Sequence, residues 1–431
     1  MSYAEKMSPR HVGIVVACCL TCGIPAGMLM NTAGIFYPII ADDLGVQTAE
    51  ISAWMAICFL SSAIFQPIFG NIVGRVHMRT MMLFGSLIAI GVFAAFAQAS
   101  EPWIFWLAAI FTGITFATCL SVGPATLVNR WFNKHVGLIM GVVAGSSALG
   151  GVIFMFVGQA IIESIGWRMA YWVYSAVILI VCVPMVLLLV RDDPASCGLL
   201  PYGKPAVEDA GRESEAAPSS DDKELRRAAA ACMRTPAFFL LILAGFLMNV
   251  AGQVNGYFPK YVYWIEDQAA AGIMPMAFVT GVVLSSLTQG GSAVGKVALG
   301  AFSDLSVMKA LCLLCGSGAF GLICVWLFPD SALIVLGAFI FGFFLASVLV
   351  LMPMLVREVF GAGRLYPLLY ARAAAGPALG GAFANLLWPT IADNMGGFDV
   401  VFGLALVMVV VIFVSAFIAL RLPKRELLWV D

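Results

Sequence analysis

The stretch "GAFSDLSVMK", residues 300–309, has a counterpart 230 residues earlier (300 − 70), "GNIVGRVHMR" at 70–79. Both open on Gly and close on Met followed by a basic residue. Two further matches share the offset: "ALGG" at 148–151 and again at 378–381, and Gly166 with Gly396. Chance can supply one such match. Three at one spacing, in halves of similar length, indicate a duplicated unit.

The composition says where that unit resides. Of 431 residues, 62% are hydrophobic and 11% charged, against about half and a quarter in soluble domains. A net charge of −1 leaves no basic field for nucleic acid. The 11 cysteines fall mostly inside apolar runs (Cys18, Cys19, Cys58, Cys182, Cys312), without disulfide or metal-ligand spacing, and read as small hydrophobes. "MSYAEKMSPRH" runs straight into an apolar segment with no early cleavage site, so a removable signal peptide is not expected. The expectation is a polytopic membrane protein.

About 20 apolar residues cross a bilayer as a helix. Twelve stretches qualify: 12–40, 50–73, 80–99, 102–128, 136–162, 169–190, 236–264, 275–302, 308–328, 332–356, 365–391 and 399–420. Most cations lie at the termini and in alternate loops, among them Arg75, Arg79, Arg130, Lys134, Lys309, Arg357, Arg364, Arg421, Lys424 and Arg425. The opposite loops are acidic (Asp42, Asp43, Glu101, Glu266, Asp267, Asp330, Asp393) and hold only Arg168 and Lys260 as cations. The positive-inside rule then puts both termini in the cytoplasm, as an even number of spans requires. The expected fold is all-α, with 12 transmembrane helices in two six-helix pseudo-symmetric bundles, 1–190 and 236–431. A cytoplasmic linker, 191–235, rich in Pro, Gly, Ser and both charge signs, joins them, and its part from Asp221 to Cys232 reads as a short amphipathic helix.

Parallel six-span repeats around a midplane site are the plan of the major facilitator superfamily, which this chain resembles over essentially its whole length. "GAFSDLSVMK" resembles that family's G-x-x-x-D-x-x-x-[RK]-[RK] loop, with Asp304 in the acidic place; the first copy has Gly74 there. The resemblance implies a cytoplasmic gate involving Asp304, Arg75 and Arg79. "RWFNKHVGLIMGVVAGSSALGG" followed by "ESIGWRMAYW" is similar to the fifth-span region of monocarboxylate porters and oxalate:formate antiporters.

Apart from the end-placed Lys260 and Arg168, two cations lie inside expected spans: Lys296, in "GGSAVGKVALGAF", and Arg372, in "YPLLYARAAAGPALGG". An ion at mid-span costs at least about 2.5–3.5 kcal/mol and marks a functional candidate. Each lies eight residues from a loop charge (304 − 296 and 372 − 364), so both sit about 12 Å inward at similar depth. No Asp or Glu lies well inside an expected span, which leaves a substrate carboxylate as the counter-ion; an Arg fork suits such a group. The bland readings are a snorkelling Arg372 and a Lys296 that serves gate structure. The two segments also resemble those in which oxalate:formate antiporters carry an eighth-span and an eleventh-span cation. Proton-coupled monocarboxylate porters instead pair the eighth-span cation with an Asp one turn earlier, where this chain has Ser292, and carry a first-span Lys that is missing here. Asn31 stands where the oxalate type has an aromatic. Secondary substrate-binding candidates are Tyr257, Asn255, Asn31 and Gln66.

The functional expectation is a secondary active or facilitative transporter of small mono- or dicarboxylates, working by alternating access as an antiporter or uniporter. It would be a monomer in a bacterial-type inner (cytoplasmic) membrane, with the bilayer and the carboxylate as partners and no cofactor, metal or nucleic acid. No nucleophile–base set or metal cluster marks it as an enzyme. The alternatives are a drug/proton antiporter of the same superfamily and a non-transporting nutrient sensor.

Overall fold

The computed structural model describes residues 7–73, 75–203, 221–273, 275–363, 365–394 and 397–422. Gly74, Arg364, Gly396, Lys424 and Arg425, all used in the sequence reading, lie outside the described residues. The elements described are helices; the isolated bridge is one between Phe132 and Tyr202.

Ten helical stretches are long and apolar enough to cross a membrane, from Pro9–Asn31 to Gly397–Arg421, and each coincides with an expected span. The expected eighth and eleventh stretches are helical too, at Gly281–Leu305 and at Tyr366–Ala373 with Ala375–Asn394. They stand apart from the ten because Gly, Ser and Asn dilute their apolar residues. These are the two that carry Lys296 and Arg372. The eighth helix starts six residues later than expected, where Thr280 is extended and serves as N-cap. The eleventh breaks at Ala374, because Pro377 has no N–H to give the carbonyl of Ala373.

Five helices are irregular part-way along, the sixth among them, which widens to π-helix at Ile178–Cys182 just before Pro184. The first, fourth and tenth widen to π-helix at Gly27–Asn31, Phe116–Ser121 and Ser347–Leu351, and the seventh tightens to 3-10 at Gln253–Tyr257. Pro124 and Pro353 explain two of these breaks, since neither can bond the carbonyl four residues back. Irregular backbone at membrane depth persists where protein shields it or where it lines a cavity. First, fourth, seventh and tenth are the leading members of consecutive triplets, so four of the five breaks follow the duplication; the sixth does not, since its counterpart Gly397–Arg421 is one continuous helix.

Side-chain contacts follow it as well. A Cβ on Gly70 would lie 2.2 Å from that of Ala371 and 3.4 Å from the carbonyl oxygen of Pro367. A Cβ on Gly300 would lie 2.2 Å from the carbonyl oxygen of Gly137 and 3.0 Å from Cα of Gly141. The offset of 230 carries 70, 137 and 141 onto 300, 367 and 371. The carbonyls of Ser147 and Pro377, also 230 residues apart, each accept from an asparagine, Asn31 at 2.8 Å and Asn249 at 2.6 Å, although those two donors are 218 residues apart (249 − 31). Leucine at either Asn should therefore destabilise the fold alike, by about 0.6–1.7 kcal/mol for one interhelical bond in a membrane. Thermal unfolding in detergent reads this, and a fall in only one variant would show the two bonds to be inequivalent.

One apolar core runs through the N-terminal helices at the end bearing the basic loops (Ile14, Met82, Trp131, Val143) and on into the C-terminal helices (Leu241, Leu299, Met352, Leu369). At the acidic end the N-terminal helices hold a separate core around Phe36, Trp54, Phe93 and Tyr171, where Phe36 stacks on Tyr171 at 4.3 Å. The two halves of the chain thus merge at the basic face and part towards the acidic one. There Asp43 accepts from Arg168 at 2.7 Å and from the Trp167 indole at 3.2 Å. These bonds, the guanidinium's first, hold its carboxyl below the usual range.

The linker is built in at both ends. Asp192 pairs with His77 and caps the N–H of Met78. Tyr202 exchanges backbone bonds with Trp131 and Asn133 at 2.9 and 2.8 Å. The helix Asp221–Met233 forms as the composition predicts, with Ala229 and Cys232 buried in the shared core.

Candidate functional site

Lys296 is 7% exposed. It can lie at the junction of the halves because Gly141 faces it: a Cβ there would stand 2.4 Å from the Lys296 carbonyl oxygen. The Lys296 ammonium donates to Ser147 Oγ at 2.9 Å, and Ser147 passes its own proton to the carbonyl of Ala144 at 2.7 Å. A hydroxyl lone pair therefore faces the cation. Asn31 holds the same turn through the Ser147 carbonyl. Among the described residues no carboxylate lies within ion-pair distance of Lys296. Its charge is met by dipoles alone.

The duplication gives Lys296 a counterpart, since 296 − 66 = 230. Gln66 is 1% exposed, reaches Ser62 Oγ at 3.4 Å and accepts from Ser121 Oγ at 3.2 Å. Ser121 also meets the Tyr370 hydroxyl at 3.2 Å, across the halves, and Tyr370 stacks on Tyr366 at 5.8 Å and 3°. Equivalent positions thus hold a cation in one half and a neutral amide in the other.

Arg372 takes a different place. Its Nη2 donates to Asn71 Oδ1 at 2.8 Å, beside the Gly70–Ala371 contact near the basic end. The bond described for Arg372 goes to a different partner from that of Lys296. Asn255 and Tyr257 fall in the 3-10 break of the seventh helix, half-buried, and Asn255 Oδ1 is buried with no hydrogen-bond partner. Between them a Cβ on Gly256 would meet nothing within 4 Å.

Asp304 crosses the halves. Its oxygens accept the N–H groups of Gly137 at 2.6 Å and Leu138 at 2.8 Å, the first turn of the helix Val136–Ile165. A carboxylate at a helix N-terminus contributes about 0.3–2 kcal/mol. Asn129 adds a bond to the carbonyl of Ala362 at 2.9 Å. Arg79 instead donates to the Val190 carbonyl within its own half at 3.1 Å, and Arg75 is exposed at the basic end. The sequence reading missed Ser147, Ser121, Tyr370, Asn71 and Asn129. Of their partners, the 230-residue offset could have flagged Gln66 as the mate of Lys296; nothing marked the others.

A membrane-embedded helical chain whose two halves repeat each other, break their central helices and enclose a buried cation has the build of a secondary transporter. The profile of the Major Facilitator Superfamily matches residues 19–306, and the chain belongs to that superfamily. It is 23% identical over 376 residues to monocarboxylate transporter 12 of Homo sapiens, covering 83% of this chain and 71% of that protein. The rat protein of the same name matches at 24%, and there the chain spans 59% of its length. Multidrug resistance protein MdtL of Shewanella oneidensis is 25% identical over 43% of this chain and 46% of its own.

Proposed function

We propose that this protein is a secondary transporter of small organic anions, mono- or dicarboxylates, working by alternating access as an antiporter or uniporter. The observation that carries this is Lys296: a buried cation at the junction of the halves whose described partner is a neutral hydroxyl. In this reading the chain crosses a cytoplasmic membrane 12 times, with both termini and the basic face inside and with 1–190 and 236–431 as the rocking bundles. The described state is shut at the cytoplasmic face by Asp304 and by the glycine contacts at 70 and 300. Lys296 and Ser147 anchor the carboxylate; Asn31, Gln66, Asn255 and Tyr257 line its surroundings; Arg372 attracts it at the inner end. The names of the first relatives agree with a monocarboxylate.

Likeness to MdtL supports a second reading, a drug/proton antiporter. That chemistry calls for an anionic site, whereas the charge buried here is a cation. Thermal shift in detergent across formate, lactate, pyruvate, oxalate, malonate and succinate, beside a panel of lipophilic cations, separates the two. Stabilisation by a carboxylate is expected; stabilisation by the cations alone would overturn the proposal.

A further inference from the structure

The fifth and eighth helices, which hold Ser147 and Lys296, do not stay in close contact along their length. A Cβ on Gly137 or Gly141 would overlap Ser303 or the Lys296 carbonyl oxygen, whereas one on Gly145 would meet Val297 at an ordinary 3.5 Å. Where the helices part, an open groove of about 720 Å³ forms. Val142 and Leu149 line it from the fifth helix, Val294 and Val297 from the eighth, and Cys19 from the first. The hydroxyl among its lining residues, that of Ser146, is spent on the backbone, 2.6 Å from the carbonyl of Val143 and 2.9 Å from that of Cys19. The groove therefore offers hydrocarbon.

Its position says what fills it. Val142 and Leu149 are exposed, and the same face of the helix continues through the exposed Ile153 and Phe156. In a helix that spans a membrane, that face is covered by bilayer hydrocarbon, and the groove opens from it. Val142 and Leu149 lie 6 and 13 residues from the helix start at Val136, or about 9–20 Å in from the basic end. In a hydrocarbon core about 30 Å thick, that is the depth of acyl chains, past the headgroups. Water does not fill so apolar a space, and an empty gap forfeits dispersion contacts. Hydrocarbon gains nothing by leaving hydrocarbon, so shape decides. A chain in the groove touches three helices, whereas one on a convex face touches a single surface.

We propose that this groove is a binding site for a phospholipid acyl chain from the leaflet on the basic side. The chain wedges the fifth and eighth helices beside the turn that sets Ser147 against Lys296. The site does not depend on what the protein carries, and its test needs no transported substrate. The full chain is placed in vesicles of phosphatidylethanolamine and phosphatidylglycerol with a small share of a phospholipid bearing a diazirine midway along one acyl chain. Photolysis followed by peptide mass spectrometry then maps the attachment points. Residues 142–149 and 293–298 should be labelled at least tenfold more than the exposed Leu188 and Val410. Ala293→Phe with Ala298→Phe, which fills the groove with the protein's own side chains, should cut that labelling at least tenfold. Labelling at Leu188 and Val410 should persist, which shows the variant to be folded; Val294→Trp, at an exposed position, takes its place where the double variant does not fold. Even labelling over all exposed faces would reduce the groove to ordinary bilayer contact and overturn the site. So would labelling that survives in the filled groove. A wild-type groove that stays unlabelled while Leu188 reacts would overturn it too, as the mark of a protein cover such as a second copy of this chain.

Discussion

Lys296→Gln should weaken carboxylate binding by about one to two orders of magnitude and, at the same time, raise the melting temperature of the empty protein. Losing a charge-assisted hydrogen bond to the substrate costs about 1.5–3 kcal/mol, or roughly 10–150-fold in affinity. The same change removes an ion that costs the fold about 2.5–3.5 kcal/mol at membrane depth, because among the described residues its hydrogen-bond partner is the neutral hydroxyl of Ser147. It also turns position 296 into a copy of Gln66. Function and stability therefore move in opposite directions, which mere damage to the fold does not do. Thermal unfolding with and without the stabilising acid reads both at once. A variant that melts lower and still binds would make Lys296 a structural residue.

The second large effect concerns the gate. Gly300→Leu places a Cβ 2.2 Å from the carbonyl oxygen of Gly137 and 3.0 Å from its carbon, backbone atoms that shift only if a helix shifts. The fifth and eighth helices should separate at the basic end, and Asp304 should lose its two N–H partners with them. The protein should then stand open to the cytoplasm and cease to transport. Cys22 is 1% exposed. In a variant that keeps it as the one thiol, maleimide should label it at least tenfold faster from the cytoplasmic face. Gly70→Leu should behave alike, because it meets Ala371 at the same 2.2 Å. An unchanged labelling rate in both would mean that the helices absorb the side chain without opening.

These effects follow from pairings that the sequence displays unevenly. Lys296 was legible because a cation in a glycine-rich apolar run is chemically conspicuous, and Asp304 because its loop is patterned and repeated. Ser147 was not: a serine among Gly and Ala gives no charge signal, and its role appears only when the eighth helix packs on the fifth. Asp304 binds backbone N–H groups, which have no signature in any sequence. Arg372 was read as a second wall of one site because spacing reports depth and is blind to which way a helix face turns; one of its bonds in the structure goes to Asn71. The breaks of the central helices were half legible, since Pro124 and Pro353 mark two of them while the widening at Gly27–Asn31 lacks a proline of its own.

The pairing of a charged position with a neutral one across the duplication has an electrical consequence. Loaded with a monoanion, the site around Lys296 is neutral overall; emptied, it holds one uncompensated positive charge. A membrane potential acts on moving charge at about 2.3 kcal/mol per elementary charge per 100 mV. If the protein works as a uniporter, the loaded passage should thus be nearly indifferent to voltage, while the return of the empty protein does electrical work. As an antiporter, loaded in both directions, it should feel the potential little on either journey.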